Sequence, residues 1–153
     1  MISSKPQPTE HLNAANLPER WEIVDGEPQP KEATGPRHGR AQGRTFRLLS
    51  PFDRRPGPPH RPGGWWFSSE TSVTFSPTQV RLPDVAGWRR ERMPEMPEGS
   101  TTDIIPDWIC EILSPSNAND DTIVKMRLYH QAQVKHYWLL DPVQETLQVF
   151  RWD

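Results

Sequence analysis

The stretch DWICEIL, residues 107–113, is the strongest structural signal in this chain of 153 residues. Five of its seven residues are apolar and the run is short, which is typical of a strand covered on both faces of a sheet. Its one interior charge, Glu111, is costly to bury unless a cation, a metal or hydrogen bonds compensate it. We therefore interpret Glu111 as a candidate functional residue. A glutamate that reaches solvent or an arginine from the strand end is the alternative.

The elements around this strand follow from local patterns. Residues 21–27, WEIVDGE, alternate around an apolar centre and end in Asp-Gly, which predicts a strand that enters a turn. Residues 28–36 are predicted as a loop, and residues 37–49, which lack proline, as a helix. The other predicted elements are a strand over 65–75, a returning strand over 79–88, a loop over 89–102, a helix ending near 133, and strands over 135–140 and 146–152. This order predicts an α+β or mixed α/β fold.

Composition limits the class of protein. Apolar residues make up 33 % and charged residues 25 %, with a mean hydropathy of −0.80, which suits a folded domain. Residues 1–18 are polar and are predicted as a flexible arm before a domain over 19–153. No apolar run approaches the ~18 residues of a membrane span, and no secretory signal is recognisable, so we expect a cytoplasmic protein. The one cysteine, Cys110, excludes an internal disulfide and a CxxC zinc site.

Charge is unevenly distributed along the chain. Residues 36–63 hold seven arginines and one acid, a net of +6, whereas residues 64–122 hold four arginines and ten acids, a net of −6. A protein that handles phosphates with a metal would show this asymmetry, because arginine neutralises a polyanion and carboxylates hold the cation. Two solvated surfaces are the alternative, and charge alone favours that alternative.

Two further acids join Glu111 as candidates for a metal site. Asp84 follows Pro83 in the returning strand, and two carboxylates on neighbouring strands can hold one Mg²⁺. Glu70 lies opposite Asp84 if the hairpin turns at Pro77, because the two positions are then equally far from the apex. A one-residue slip would place them on opposite faces, so an exposed Glu70 is an equal alternative.

Side chains of the two predicted helices, most of them basic, supply the remaining candidates. Lys125 lies early in the second helix, and Tyr129, four residues later, shares its face. A solvated surface lysine is the alternative, which only the pairing with the acids outweighs. In the first helix, Arg37, His38 and Arg40 are positioned to contact phosphate, although a surface histidine explains the sequence equally well.

Two long motifs resemble a known family. Residues 82–94, LPDVAGWRRERMP, and residues 106–116, PDWICEILSPS, resemble signatures of the Uma-type restriction endonucleases. The similarity continues over further positions: Lys125, Tyr129, residues 137–142 (YWLLDP) and the early strand at 21–27. On these motifs the chain is identified as a member of that family over roughly residues 18–152.

The family is similar to the PD-(D/E)XK nuclease superfamily, and this resemblance implies both a fold and a site. It implies a mixed β-sheet flanked by helices and a divalent metal, Mg²⁺ or Mn²⁺, held by Asp84 and Glu111 with the backbone carbonyl of Ile112. Leu113 stands where the superfamily motif has its lysine, and the Uma-type pattern implies that Lys125 takes that role. Two accessory residues are implied with it: Glu70 and Tyr129.

These features predict an endonuclease that hydrolyses DNA, with Asp84, Glu111 and Lys125 as catalytic residues. The first helix, including Arg44, is predicted to line the DNA approach. A homodimer would suit the cleavage of two strands. The alternatives are an inactive nucleic-acid-binding or assembly module with the same fold, and a defective fragment. We expect truncation at the C-terminus, because the chain ends at Asp153 while relatives usually continue with another strand and helix.

Overall fold

The computed structural model describes residues 13–115 and 120–153. In that part of the chain, two helices and ten strands follow one another in an order that agrees with the predicted α/β (α+β) class. The helices are α1 (Pro36–Leu49) and α2 (Asp120–Gln131). The strands are β1 (Trp21–Val24), β2 (Glu27–Pro30), β3 (Trp65–Ser68), β4 (Ser72–Ser76), β5 (Gln79–Arg81), β6 (Val85–Arg89), β7 (Thr101–Thr102), β8 (Trp108–Ile112), β9 (His136–Asp141) and β10 (Thr146–Arg151).

Five strands form a central sheet in the order β10-β9-β8-β6-β3. Strands β8 and β9 run parallel and the other neighbouring pairs are antiparallel, so the sheet is mixed, as predicted. Strand β8 lies in the middle, and all of its residues are buried. The nearly continuous apolar sequence of residues 107–113 therefore reflects cover on both faces of the sheet.

One helix packs on each face of the central sheet, which confirms the predicted flanking arrangement. On one face, Ala41 of α1 packs in a buried cluster with Trp108 of β8. On the other face, Tyr129 of α2 packs in a second cluster with Ile109 of β8. Because alternate residues of a strand point to opposite faces, Glu111 lies on the α2 face with Ile109.

A second sheet, the outer sheet, has the order β2-β1-β5-β4-β7. Strands β4 and β7 are parallel, and the other neighbours are antiparallel. Val73 and Phe75 of β4 belong to the same hydrophobic cluster as Tyr129 of α2. The outer sheet and α2 therefore share one core on the same side of the central sheet.

The hairpin of β1 and β2 corrects the loop predicted over residues 28–36. Asp25 and Gly26 have φ values of 50° and 82°, the left-handed conformation of tight hairpin turns, so the chain reverses directly after β1. Residues 27–30 then pair antiparallel with β1. The two prolines of β2 discouraged a strand assignment, but β2 is an edge strand, where proline is tolerated.

The two long strands predicted over 65–75 and 79–88 are each divided in two. Strands β3 and β6 belong to the central sheet, whereas β4 and β5 belong to the outer sheet. The breaks contain Glu70, whose φ is 53°, and Pro83, which has no N–H to donate to a ladder. The hairpin thus passes from one sheet to the other, and Asp84 lies in that passage.

The register of this divided hairpin turns about Pro77, as the sequence predicts. Thr74 pairs with Val80 in the outer sheet, and Ser68 pairs with Ala86 in the central sheet. Each pair is equally distant from the apex, although the ladder is irregular between Thr74 and Ser76. The symmetry of the hairpin therefore continues across the break.

The remaining predicted helix and strands agree with the structure, which adds one short strand. Strands β9 and β10 form the predicted C-terminal hairpin, and α2 lies within the predicted helix. The predicted loop over 89–102 ends in β7. Residues 1–12 of the predicted arm lie outside the described residues. Within the described part of the chain, no helix has both the length and the apolar character to cross a bilayer.

Candidate active site

Two acids predicted as metal ligands lie close together: Glu111 in β8 and Asp84 just before the start of the adjacent strand β6. Asp84 directly precedes β6, where Val85 pairs with Cys110 of β8. The backbone N–H of Ile112 donates to Asp84 Oδ2 at 2.7 Å. The two acids are only 3 % and 4 % exposed. The antiparallel ladder therefore brings them into one buried region.

Asp84 is an ionised carboxylate that accepts from three donors. Lys31 Nζ donates to Oδ1 at 2.8 Å, and Ile112 N donates to Oδ2. His38 Nε2 lies 3.1 Å from Oδ2, where an ionised carboxylate requires it to be the donor. Burial raises the pKa of Asp84, but the hydrogen bond from His38 and the Lys31 ammonium outweigh burial and hold the pKa well below its usual range.

Lys31 is an internal cation between two acids. Its three N–H groups meet three oxygens: Nζ donates to Glu70 Oε2 at 2.8 Å, to the Leu82 carbonyl at 2.6 Å and to Asp84 Oδ1 at 2.8 Å. Its side chain is 9 % exposed. Burial lowers the pKa of Lys31, but the charges of Asp84, Glu111 and Glu70 outweigh burial and raise it.

Glu70 occupies the more open side of this network. Its backbone N–H donates to the Pro83 carbonyl at 3.2 Å, so it lies beside Asp84 as the register predicts. Its side chain is 22 % exposed, and Arg20 Nη1 lies 3.8 Å from its Oε2. A groove of about 370 Å³ passes this side chain. The network therefore meets the surface at Glu70.

Glu111 interacts with two side chains from one face of α2. Tyr129 Oη donates to Oε1 at 2.5 Å, and Lys125 Nζ lies 3.6 Å from Oε2. Burial raises the pKa of Glu111 to about 7, while Lys125 opposes the shift and Asp84 adds to it. The pKa of Tyr129 is raised well above its usual value by burial and by the Glu111 charge, so it stays a donor. Because Lys125 and Tyr129 are four residues apart, they lie on the same face of α2, and both side chains reach Glu111.

A small cavity adjoins this second half of the site. It measures about 10 Å³, and Glu111, Thr122 and Lys125 contribute to its lining. That volume is about the space that one water molecule requires. A water-sized group therefore fits beside the acid and the ammonium group.

The residues predicted to contact DNA from α1 fall into two groups. Arg37, Arg40 and Arg44 are exposed at positions three and four residues apart, and α1 contains no acid. His38 is instead 4 % exposed and contacts Asp84. Its Nδ1 is buried and has no hydrogen-bond partner in the part of the chain that the structure describes. The buried His38 is therefore separate from the three exposed arginines, which we call the arginine stripe.

The sequence reasoning missed two members of the network, Lys31 and Gln42. Gln42 Nε2 donates to the Asp84 carbonyl at 2.7 Å, four residues after His38 on α1. Two polar residues at this spacing beside the buried Ala41 were a usable signal of a polar face turned inward. Lys31 lies in a segment without periodicity, so no local pattern marks it.

Comparison with known proteins identifies a family for this chain. The family model described as "Uma2: Putative restriction endonuclease" matches residues 8–153. This chain belongs to the Uma2 family. A crystal structure from Anabaena variabilis ATCC 29413, described as "a putative nuclease belonging to DUF820", matches with 26 % identity and a TM-score of 0.69. The match covers 88 % of this chain and 75 % of that chain. No curated protein matches the sequence.

The donor chemistry of this Uma2 site suits a hard divalent cation. Asp84 and Glu111 are carboxylates and Ile112 offers a carbonyl, and Mg²⁺ takes one or two carboxylates while keeping several waters. Within residues 13–115 and 120–153, no three acidic, histidine or cysteine side chains form a metal-holding group. The residues therefore fit an ion with two carboxylate ligands, and Lys31 is the cation that balances Asp84 in the structure.

Proposed function

We propose that this chain is a Mg²⁺- or Mn²⁺-dependent endonuclease that hydrolyses phosphodiester bonds of DNA. One observation carries the proposal: Asp84, Glu111 and Lys125, far apart in sequence, are buried around one end of β8. Ile112 N donates to Asp84, and Lys125 Nζ lies 3.6 Å from Glu111 Oε2. Membership of the Uma2 family and the likeness to a structure described as a nuclease support the nuclease class. The metal and the DNA substrate are part of the proposal.

Asp84, Glu111 and the carbonyl oxygen of Ile112 would hold the divalent ion. The chemistry of such an ion is to polarise a phosphate oxygen and to lower the pKa of a bound water. Hard oxygen donors from two neighbouring strands match what Mg²⁺ and Mn²⁺ prefer. The backbone N–H of Ile112 keeps Asp84 in place beside β8.

The other side chains act on the phosphate or on the acids. Lys125, beside Glu111, would stabilise negative charge on the phosphate or orient the water that the small cavity admits. Tyr129 holds the Glu111 carboxylate through its hydroxyl group and is thus a positioning residue. Glu70, at the open side, would be an accessory acid.

The arginine stripe of α1 supplies the electrostatic contact to DNA in this proposal. Arg37, Arg40 and Arg44 are exposed and have no acid within their helix to neutralise them. A homodimer and a cytoplasmic location stay predictions of the sequence, as does the division into an arm and one domain.

The decisive test is cleavage of supercoiled plasmid and branched DNA in Mg²⁺, Mn²⁺ or EDTA. We expect nicking with either metal and none in EDTA. The variants Asp84→Asn and Lys125→Met should each lower the cleavage rate by about 10²-fold or more, since each removes a group placed at the reacting phosphate. Lys135→Met, which alters an exposed lysine away from these residues, is the matched control.

The result against the proposal is cleavage that survives Asp84→Asn, or no cleavage from a wild-type protein that melts cooperatively. The second result would favour a binding or assembly module with the same fold. The burial of Asp84 and Glu111, at 3 % and 4 % exposure, is the observation that favours that candidate. It predicts salt-dependent DNA binding without metal dependence, and a larger loss of binding in Arg40→Ala than in Glu111→Ala.

A further inference from the structure

We propose that the Lys31 ammonium group is a built-in cation that competes with the divalent ion for Asp84. Metal binding then requires Lys31 to leave Asp84 Oδ1. This inference rests on the proposed metal site, and it concerns a residue outside the predicted set of ligands and catalytic groups. It makes Lys31 the residue that sets how tightly this chain binds its metal.

The position of Lys31 is that of a bound cation. Three oxygens surround its Nζ within 2.6–2.8 Å: Glu70 Oε2, the Leu82 carbonyl and Asp84 Oδ1. Carboxylate and carbonyl oxygens are also the ligands that Mg²⁺ and Ca²⁺ take from proteins. The ammonium group therefore binds oxygens of the kind that a metal ion would bind. One of these oxygens belongs to Asp84, a proposed metal ligand.

Asp84 has little capacity left while Lys31 stays. Its Oδ2 already accepts from Ile112 N and faces His38 Nε2, and Oδ1 accepts from Lys31. The donors from Ile112 and His38 belong to a buried strand and a buried helix face. Lys31 has a flexible four-carbon stem, so it is the donor that can move without disturbing the sheet.

Charge also favours an exchange of cations over joint occupancy. Two cations on one carboxylate repel each other strongly when they are buried, because screening by solvent is weak there. The Lys31 side chain is 9 % exposed and that of Asp84 is 4 % exposed. Lys31 reaches Asp84 from the segment between β2 and α1, where residues 32–35 are exposed, so the displaced ammonium group has a short path to solvent.

The test measures Mn²⁺ affinity by titration calorimetry, separately from DNA cleavage. We expect Lys31→Met to bind Mn²⁺ at least about tenfold more tightly than wild type, since a competing charge is removed. Lys135→Met is the matched control and should bind like wild type. Adding Asp84→Asn to Lys31→Met should abolish the gain. Equal or weaker binding by folded Lys31→Met overturns the inference.

A second measurement uses the wild-type protein and does not depend on a variant that folds. Reductive methylation followed by mass spectrometry reports how accessible the Lys31 amine is. We expect Lys31 to be protected without metal and to react faster as Mn²⁺ is added, while the reaction at Lys135 stays constant. No change at Lys31 at saturating Mn²⁺ overturns the inference, whatever Lys31→Met shows.

These outcomes separate the two proposals. Suppose that Lys31→Met binds Mn²⁺ more tightly, that Mn²⁺ speeds the methylation of wild-type Lys31, and that the wild type does not cleave DNA. This combination upholds the Lys31 inference and contradicts the endonuclease. Metal-dependent cleavage by the wild type, together with an unchanged Mn²⁺ affinity in Lys31→Met, supports the endonuclease and overturns the Lys31 inference. If Lys31→Met is unstable, Lys31→Gln removes the charge while keeping a donor for the Leu82 carbonyl, and the same tenfold gain is expected.

Discussion

Individual residues of the site differ in how far a local pattern marks them. Glu111 is a charge inside an apolar strand, and the cost of burying it without compensation made it conspicuous. Its compensation, from Tyr129 and Lys125, comes from a helix that the sequence also predicted. Lys31 lies in a coil segment, and its three oxygen partners, on Glu70, Leu82 and Asp84, are all distant in sequence.

A substitution at Gly87 tests how closely strands β3 and β6 pack. A Cβ atom there would lie 2.7 Å from Cε1 of the Phe67 ring, a distance at which the Phe67 ring or the backbone around it has to shift. We expect Gly87→Ala to lower the free energy of unfolding by about 1–3 kcal/mol. Gly39→Ala in α1, where nothing lies within 4 Å, should instead raise it by about 0.5–1 kcal/mol. Urea unfolding of both variants checks this; equal effects would contradict the packing.

His136 provides a prediction for pH dependence outside the group of Asp84 and Glu111. Burial lowers its pKa from the ordinary value of 6.5, and Arg151 lowers it further, followed by Arg89 and Lys135. The unfolded chain therefore binds more protons near pH 6, so the contribution of His136 to stability is lost as pH falls below about 6.5.

Arg151→Gln should move the pKa of His136 back toward 6.5, measured by NMR titration of its ring protons. Arg47→Gln, on α1, is the control and should leave that pKa unchanged. An unchanged or lower pKa in Arg151→Gln would show that burial alone sets the shift.

At the element scale, helix and strand identities were largely predictable. α1, β8, α2 and the final hairpin each agree with the element that the sequence predicts there. β2 was missed because its prolines argue locally against a strand, whereas pairing with β1 supplies its stabilisation. The division of the long hairpin was also missed, because which sheet a strand segment joins depends on neighbours distant in sequence.

The arginine stripe of α1 carries the prediction for DNA binding. Replacing Arg40 and Arg44 by glutamine should weaken binding to all DNA sequences alike. It should also reduce the slope of log K against log salt concentration by about 0.9 for each lost phosphate contact. Fluorescence anisotropy at several salt concentrations measures both effects. An unchanged slope would show that α1 faces away from bound DNA; Arg92→Gln is the matched control.

At the scale of the whole molecule, the site lies where the two sheets meet. Glu70 and Asp84 lie in the passage from the outer to the central sheet, Lys31 comes from the segment before α1, and Glu111 and Lys125 come from β8 and α2. Few local interactions hold these parts together, so the network forms only in the complete fold. A cation bound there should stabilise the whole domain.

Metal binding should therefore be visible as thermal stabilisation. Mn²⁺ at about 100 times its dissociation constant should raise the melting temperature of EDTA-treated protein by about 5–10 °C, because it binds the folded state alone. Differential scanning calorimetry measures the shift, and Asp84→Asn should lose most of it. A full shift in Asp84→Asn would place the bound ion elsewhere.

Local sequence patterns and two long motifs are enough to indicate the class of fold, the family, and the candidates Asp84, Glu111 and Lys125. The fold class and Glu111 follow from apolar patterns, turn residues and the cost of burying a charge, which act over a few neighbouring positions. The family and the role of Lys125 are instead implied by the resemblance of two long motifs. The turn about Pro77 even predicted that Glu70 lies beside Asp84. Three further features appear only in the folded chain: Lys31 donates to Asp84, His38 faces inward, and the hairpin contributes strands to two sheets. Those outcomes depend on contacts between segments tens of residues apart, which no local pattern encodes.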